Sequence, residues 1–172
     1  MTADSSDIVI RPATPSDASS IGRLGALLVQ THHDFDARRF IAPTAGTPQG
    51  YGRFLSSQLG EPNVVVFVAE RAGEILGYTY AGVEGTDYMS LRGPAGVLYD
   101  IVVDPRYRRQ GVGRMLLDKT IDALAARGAQ QVVLSTADKN LPAQHLFADT
   151  GFRRTMIEMT RDLPSATRNS LD

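Results

Sequence analysis

The chain contains no cysteine, and this absence removes several classes of chemistry. Without thiols there can be no disulfide framework and no thiolate metal site. A covalent intermediate carried on a cysteine is equally impossible. The sequence thereby excludes every function that depends on a reactive or metal-bound thiol.

Other features are scarce as well. Three histidines occur, with His32 and His33 adjacent, and so few argue against a metal site. The sequence has no run of about eighteen apolar residues, which predicts no membrane span. The first residues, MTADSSDIVI, lack the charged-then-apolar pattern of a secretory leader, so we expect a cytoplasmic protein. A net charge of −1 argues against general nucleic-acid binding.

What the chain does contain is ordinary for a globular protein. Its 172 residues, of which 42% are apolar and 22% charged, suffice for one domain with a sizeable core. There is no internal repeat and no linker. We therefore expect a single domain over residues 1–172, with an ordered core at about 7–163 and flexible tails at 1–6 and 164–172.

The centre of the chain reads as a strand, a turn and a helix. Val97 to Val103 is an apolar, β-branched run that Pro105 ends, because proline offers no ladder donor. A helix is predicted from about Val112 to Arg127, with Gly128 as its stop. One face of that helix carries Gly113, Leu117, Ile121 and Leu124.

The turn between them is basic and rich in glycine. The first turn of a helix offers backbone N–H groups without intrahelical partners, and the helix dipole adds positive potential there. Gly111 and Gly113 lack a Cβ, so an anion can approach these amides closely. Four arginines add positive charge: Arg106, Arg108, Arg109 and Arg114. The turn predicts a diphosphate cradle, although close packing would also explain the glycines, and any one arginine could simply be solvated.

The flanking segments predict further elements. A strand at Ile8 to Arg11 precedes a helix that starts with Thr14-Pro15-Ser16-Asp17, in which Thr14 is the cap and Pro15 the first helical residue, and which carries a stripe of Ile21, Leu24 and Leu28. Thr31 to Gly50 loses periodicity and is interpreted as a loop or irregular helix, with a short helix from Thr47 to Leu59. A hairpin with strands from Val64 and Glu74, a strand at Gln131 to Thr136, a helix opened by Asn140 and one or two strands at Phe152 to Leu163 complete the chain.

The turn fits neither common phosphate motif. A dinucleotide fingerprint needs a third glycine where Leu116 stands, and a P-loop needs Gly-Lys-Ser/Thr. Arg108 to Gly113, Arg-x-x-Gly-x-Gly after VVDPRY, instead resembles the coenzyme A loop of the GCN5-related N-acetyltransferases, the GNAT family. A second motif at the expected separation supports the resemblance: Asn140, Ala143, Phe147 and Gly151-Phe152.

The resemblance covers nearly the whole chain and implies both a fold and a cofactor. The fold is a mixed α/β one, with a central mixed, mostly antiparallel sheet flanked by helices and splayed between the fourth and fifth strands. Acetyl-CoA is the implied co-substrate, and no metal is needed. Its pantetheine arm would bind backbone groups of Ile101, Val102 and Val103. Its diphosphate and the remaining contacts fall to Arg108, Arg109, Gln110, Gly111, Val112, Gly113, Arg114, Asn140, Ala143 and Phe147.

Catalytic and acceptor residues are less clearly marked by the sequence. Tyr99 and Asp100 are the polar side chains of the central strand, and one should point into the cleft because strand neighbours face opposite ways. Many relatives carry a tyrosine at the position of Phe147, so we expect Tyr99 to act as the acid, with Asp100 or a water as the base. Asp100 could equally bond a neighbouring loop, and Asn140 could simply cap its helix.

The resemblance places the acceptor near the loop after the first helix. The candidates there are His33, Arg39, Tyr78 and Tyr80, although the adjacent histidines could be a loop feature. The expected function is transfer of acetyl from acetyl-CoA to the primary amine of a small molecule. Alternatives are a different acyl group, a peptide or protein amine, a CoA-binding regulator with little turnover or a nucleic-acid module. Homodimers are frequent in the family, and neither a nucleic-acid nor a membrane partner is expected.

Overall fold

A five-stranded sheet forms the centre of the protein in a computed structural model that describes residues 8–164. Its strands are β1 (Val9–Pro12), β2 (Val64–Arg71), β3 (Glu74–Glu84), β4 (Ala95–Val103) and β5 (Val132–Leu134). They lie side by side in chain order, with antiparallel pairing up to β4 and parallel pairing between β4 and β5. This confirms the expected mixed, mostly antiparallel sheet.

Helices cover both faces of the sheet. α1 (Ala18–Phe35) and α2 (Thr47–Gln58) pack on one face, where Ile21, Leu24 and Leu55 meet the buried side chains of β2 and β3. α3 (Val112–Ala126) and α4 (Leu141–Asp149) pack on the other face through residues such as Leu116 and Phe147. Within residues 8–164, none of these helices is long and apolar enough to span a bilayer.

The start of α1 follows the capping pattern in the sequence. A 3₁₀ turn, Pro15–Asp17, precedes the helix, and the Asp17 carboxylate accepts a hydrogen bond from the Thr14 N–H at 2.8 Å. Arg11 on β1 donates to the same carboxylate at 2.8 and 2.9 Å. The buried Asp17 therefore ties the first strand to the first helix.

α1 continues further than its apolar periodicity predicts. Residues 31–35, interpreted from the sequence as the start of a loop or irregular helix, are regular helix. Polar side chains on this part of α1 form local hydrogen bonds instead of continuing the apolar stripe. Thr31 Oγ1 donates to the Leu27 carbonyl at 2.8 Å, and Gln30 donates to Asp34 at 2.6 Å. The irregular connection is thus confined to residues 36–46.

The expected strands at Phe152 to Leu163 do not form, and that prediction was wrong. Residues 153–164 have no strand structure and are exposed throughout. Met156, Ile157 and Met159 are 70, 83 and 90% exposed, so their apolar pattern finds no surface to cover. β5 is also shorter than predicted and pairs with β4 over three residues. The tail at 1–6, and the tail at 164–172 beyond its first residue, lie outside the described residues.

Candidate active site

A split between β4 and β5 forms a cleft. Their pairing runs from Gly96 with Val132 to Leu98 with Leu134 and then stops, so the strands diverge beyond that point. A cavity of about 270 Å³ opens there. Its walls come from α1, the 36–46 connection, β4, the residues after β5 and the start of α4. The expected splaying between the fourth and fifth strands is confirmed.

A β-bulge on β4 decides which side chains face this cavity. Ala81 on β3 opposes Leu98, but the next residue back, Tyr80, opposes Asp100, so Tyr99 is an extra residue on β4. The bulge breaks the alternation of side chains along the strand. Tyr99 stacks on Tyr80 at 4.6 Å between ring centroids, and Asp100 bonds tyrosines on the same face. The expectation that Tyr99 and Asp100 face opposite ways was wrong for this reason.

Asp100 is a largely enclosed carboxylate in the cavity wall. Its Oδ2 accepts hydrogen bonds from Tyr51 at 2.8 Å and from Tyr78 at 3.0 Å. Burial raises the pKa of Asp100, while both tyrosine bonds and the nearby His32 oppose that rise. Burial and the charge of Asp100 raise the pKa of Tyr51 and of Tyr78, so both hydroxyls remain donors. The arrangement holds one negative charge beside an apolar cavity.

The Tyr99 hydroxyl lies away from that charge. It donates to Glu84 Oε1 at 2.6 Å, at the end of β3, and the residue is 40% exposed. Burial, followed by the contact with Glu84, raises the pKa of the Tyr99 hydroxyl, which weakens it as a proton donor. Its role as the acid stays a prediction that this position does not favour.

The α3 N-terminus supplies unpaired backbone donors. Gly111 caps the helix with φ +82°, and no side chain of the described residues caps it by a hydrogen bond. The first helical bond runs from Met115 N–H to the Gly111 carbonyl, which leaves the amides of residues 112–114 without intrahelical partners. A Cβ on Gly111 would meet no protein atom within 4 Å. Glycine is thus needed there for its backbone conformation and not for packing.

The arginines of the turn separate in the structure. Arg106 faces away from the helix terminus and pairs with Asp104 at 2.9 Å and Glu74 at 3.0 Å. The hydrogen bond from Arg106 is the main reason why the pKa of Asp104 lies well below its usual range. Arg114 pairs with Asp118 at 2.9 Å. The cradle therefore contains fewer positive side chains than the sequence suggests.

Arg108 makes a contact with the free edge of β4. Its Nε donates to the Val103 carbonyl at 3.1 Å. Val103 is the last residue of β4, and the resemblance assigns this carbonyl to the pantetheine arm of CoA. Arg108 therefore links the free strand edge to the turn before α3.

The second motif lies along the opposite wall of the cleft. Asn140 Oδ1 accepts a hydrogen bond from the Ala143 N–H at 3.4 Å and so caps α4, which was the alternative to a role in ligand binding. Asn140 also lines the cavity. Ala143 and Phe147 line it too, and Phe147 packs edge-on against Phe152 at 5.8 Å. Phe147 is 6% exposed and offers no proton donor.

The acceptor candidates lie outside the cavity lining. His33 Nδ1 is 3.0 Å from the Phe40 carbonyl oxygen, and Arg39 forms an ion pair with Glu158. Tyr78 is fully buried and donates a hydrogen bond to Asp100, and Tyr80 donates one to Gln58. The residues that line the cavity near the end of α1 are Leu28, Val29, His32, Phe40 and Ile41. Sequence reasoning considered His32 as one of the adjacent histidines and Phe40 as part of the loop near the acceptor, but it did not assign Leu28, Val29 or Ile41 to the site. Spacing of four along α1 puts Leu28 and His32 on one face, and this signal could have found the histidine. Within residues 8–164, no three metal-ligating side chains come together.

Comparisons with known proteins agree with this geometry. Residues 30–152 match the family model described as "Acetyltransferase (GNAT) family". The chain is 36% identical over 97 residues to a mycothiol acetyltransferase of Thermobispora bispora, covering 54% of this chain and 31% of that protein. It is therefore similar to about a third of that relative's length. It is also 29% identical to the uncharacterized N-acetyltransferase YhfO of Bacillus subtilis, over 83% of this chain and 88% of that protein.

Solved structures share the fold at low identity. An aminoglycoside N-acetyltransferase in complex with CoA superposes with a TM-score of 0.67 at 16% identity, covering 91% of this chain and 94% of that one. The family match spans more than half of the chain and includes β4, the turn before α3 and the Asn140 motif. The chain therefore belongs to the GNAT family of acetyltransferases.

Proposed function

We propose that this protein transfers an acetyl group from acetyl-CoA to the primary amine of a small molecule. The observation that carries the proposal is the Asp100 carboxylate in the wall of an otherwise mostly apolar cavity, where β4 and β5 separate. A single negative charge in such surroundings attracts an ammonium group strongly, because little water screens it.

The donor end fits acetyl-CoA. Unpaired amides at the α3 N-terminus, with open space at Gly111, suit a diphosphate. The backbone of Ile101 to Val103 has no strand partner on the β5 side and can pair with the amides of a pantetheine arm. Arg108 would release the Val103 carbonyl to do so. Acetyl-CoA supplies an activated thioester carbonyl.

The acceptor end favours a small amine. The cavity of about 270 Å³ is slightly smaller than the usual ligand site, which measures roughly 300–1,000 Å³. Among the described residues, its lining includes no lysine or arginine to pair with a carboxylate. Leu28, Val29 and Ile41 offer apolar contacts. The proposed acceptor is therefore a compact amine with an apolar substituent.

The chemistry requires positioning, proton removal and stabilisation of an oxyanion. Asp100 would hold the ammonium group close to the thioester-binding backbone of β4. Backbone N–H groups of the separated strand are available as donors to the oxyanion. Phe147 cannot protonate the leaving thiolate, so that proton comes from solvent or from Tyr99, as expected from the sequence. A homodimer and a cytoplasmic location stay predictions.

Thiol release from acetyl-CoA with a panel of amines, including 2-phenylethylamine, tests the proposal. Turnover by the Asp100→Asn variant should be lower than that of the parent protein by about 10²-fold or more, because asparagine keeps the size of the side chain but removes its charge. Glu61→Gln, at an exposed carboxylate, is the matched control and should turn over like the parent. Asp100→Asn should still be stabilised by acetyl-CoA. Binding of acetyl-CoA without turnover of any amine would instead identify a CoA-binding regulator.

A further inference from the structure

His32 stands on the acceptor side of the cavity, opposite the start of α4. It lies on the last turns of α1, one helical turn after Leu28, and both residues line the cavity. Its ring is held edge-on by Phe40 at 5.1 Å and by Phe35 at 6.1 Å between centroids. Two aromatic neighbours thus fix the orientation of a histidine that reaches the site.

A hydrogen bond fixes which ring nitrogen is available. His32 Nδ1 lies 2.9 Å from the Leu28 carbonyl oxygen. A carbonyl oxygen can only accept, so Nδ1 carries the hydrogen in this contact. The neutral ring then has its lone pair on Nε2, and no described residue donates a hydrogen bond to that atom. These contacts therefore leave Nε2 of His32 available to accept a proton.

The charges around the ring come from several elements. Asp100 on β4 lines the same cavity as His32. Arg39 in the following connection is paired with Glu158, and Lys139, before α4, donates to the Phe35 carbonyl at 2.8 Å. On α1 itself, His33 Nδ1 contacts the Phe40 carbonyl. Asp36 follows directly, with its N–H bonded to the His32 carbonyl.

Two tyrosine hydroxyls hold the Asp100 carboxylate in place. These two donors already occupy Oδ2 and stabilise the charged form of Asp100, although burial is the larger effect and raises the pKa of this carboxyl. Both donors are tyrosine hydroxyls with raised pKa values, so they remain protonated. Asp100 is therefore placed to attract an ammonium ion, while His32 has a ring nitrogen, Nε2, to which no described residue donates.

We propose that His32 Nε2 is the general base of the reaction, a role that rests on the proposed acetyltransferase function. It takes one proton from the acceptor ammonium held by Asp100. The free amine nitrogen then forms a bond to the thioester carbonyl carbon, and the carbon–sulfur bond breaks. The attacking nitrogen loses its second proton to solvent, and the departing thiolate takes one proton from solvent or from Tyr99. The first proton passes from His32 to solvent, so the products are an N-acetyl amine, CoA thiol and one proton.

His32→Asn tests this assignment with 2-phenylethylamine and acetyl-CoA. Asparagine can still donate to the Leu28 carbonyl from the position of Nδ1, but it has no atom at the position of Nε2. We expect kcat/KM to fall by about 10²–10⁴-fold near neutral pH. In the parent, kcat/KM should rise with pH and level off, whereas in the variant it should keep rising toward the pKa of the amine, because only free amine then reacts.

His145→Asn, at an exposed histidine on α4, is the matched control and should keep the parental rate and profile. An active parent whose His32→Asn variant keeps both the rate and the plateau would overturn the base assignment alone. No N-acetylation by the parent would overturn the proposed function, and this assignment with it.

A second measurement is independent of turnover. Ring ¹⁵N NMR spectra of the labelled parent, with resonances assigned from the two variants, report which nitrogen of His32 carries hydrogen. The neutral form should show hydrogen on Nδ1 and a lone pair on Nε2. Hydrogen on Nε2 instead would overturn the proposal.

Discussion

Replacing Gly111 by aspartate should remove the stabilisation of this protein by acetyl-CoA. A ligand that binds only the folded state, at a hundred times its Kd, adds about 2.7 kcal/mol to the free energy of unfolding. For a chain of this length, each 1 kcal/mol moves Tm by about 2–4 °C, so saturating acetyl-CoA should raise Tm by about 5–11 °C. The new side chain would place a carboxylate over the unpaired amides at the α3 N-terminus, where the diphosphate is proposed to bind.

Gly111→Asp also strains the backbone, and Gly128→Asp is the matched control for that strain. Gly111 has φ +82° and Gly128, at the other end of α3, has φ +89°. A Cβ at either position meets no protein atom within 4 Å. Left-handed backbone costs a non-glycine residue roughly 1–2 kcal/mol, so both aspartate variants should lose about 2–8 °C without ligand.

Thermal unfolding followed by circular dichroism, with and without acetyl-CoA, separates strain from binding. Gly128→Asp should keep the full ligand shift, and Gly111→Asp should show none. A folded Gly111→Asp protein with the parental shift would refute the assignment of the diphosphate to this turn.

Two other variants test particular contacts. Tyr99→Phe should lower turnover by about 10²–10⁴-fold if its hydroxyl is the acid, and a parental rate would assign that hydroxyl to holding Glu84. Asp17→Asn should cost about 1.5–3 kcal/mol at neutral pH, the usual worth of hydrogen bonds to a charged group. Arg11 lowers the pKa of Asp17 in the folded protein, so this stabilisation exists above the unfolded pKa of about 3.9 and fades on further acidification. Urea unfolding at neutral pH and near pH 3 should show the difference between parent and variant shrinking.

The central strand, turn and helix were predictable because their signals are local. Alternating apolar residues, a proline stop and a glycine at φ +82° each act within a few residues of the chain, and the observed β4 and α3 agree with them. The hairpin of β2 and β3 was predictable for the same reason. Local patterning therefore located the end of the cleft where CoA is proposed to bind.

The wall where the acceptor is proposed to bind depends on contacts between segments that are distant in the sequence. The bulge at Tyr99 arises from the register of β3 against β4 and turns Tyr99 and Asp100 to one face. Tyr51 reaches Asp100 only because α2 packs over the sheet. The terminal strands failed for a related reason, since an alternating pattern at Met156 to Met159 needs a partner strand, and this segment pairs with none of the described strands.

Initial-rate kinetics with both substrates varied test the central claim most directly, namely direct transfer of acetyl to an amine in the cleft between β4 and β5. With no cysteine in the chain, acetyl-CoA and 2-phenylethylamine should have to be bound together. Double-reciprocal lines should intersect, and each CoA thiol released should be matched by one molecule of N-acetyl product. Parallel lines with an isolable acetyl-enzyme, or thiol release without N-acetyl product, would contradict the account.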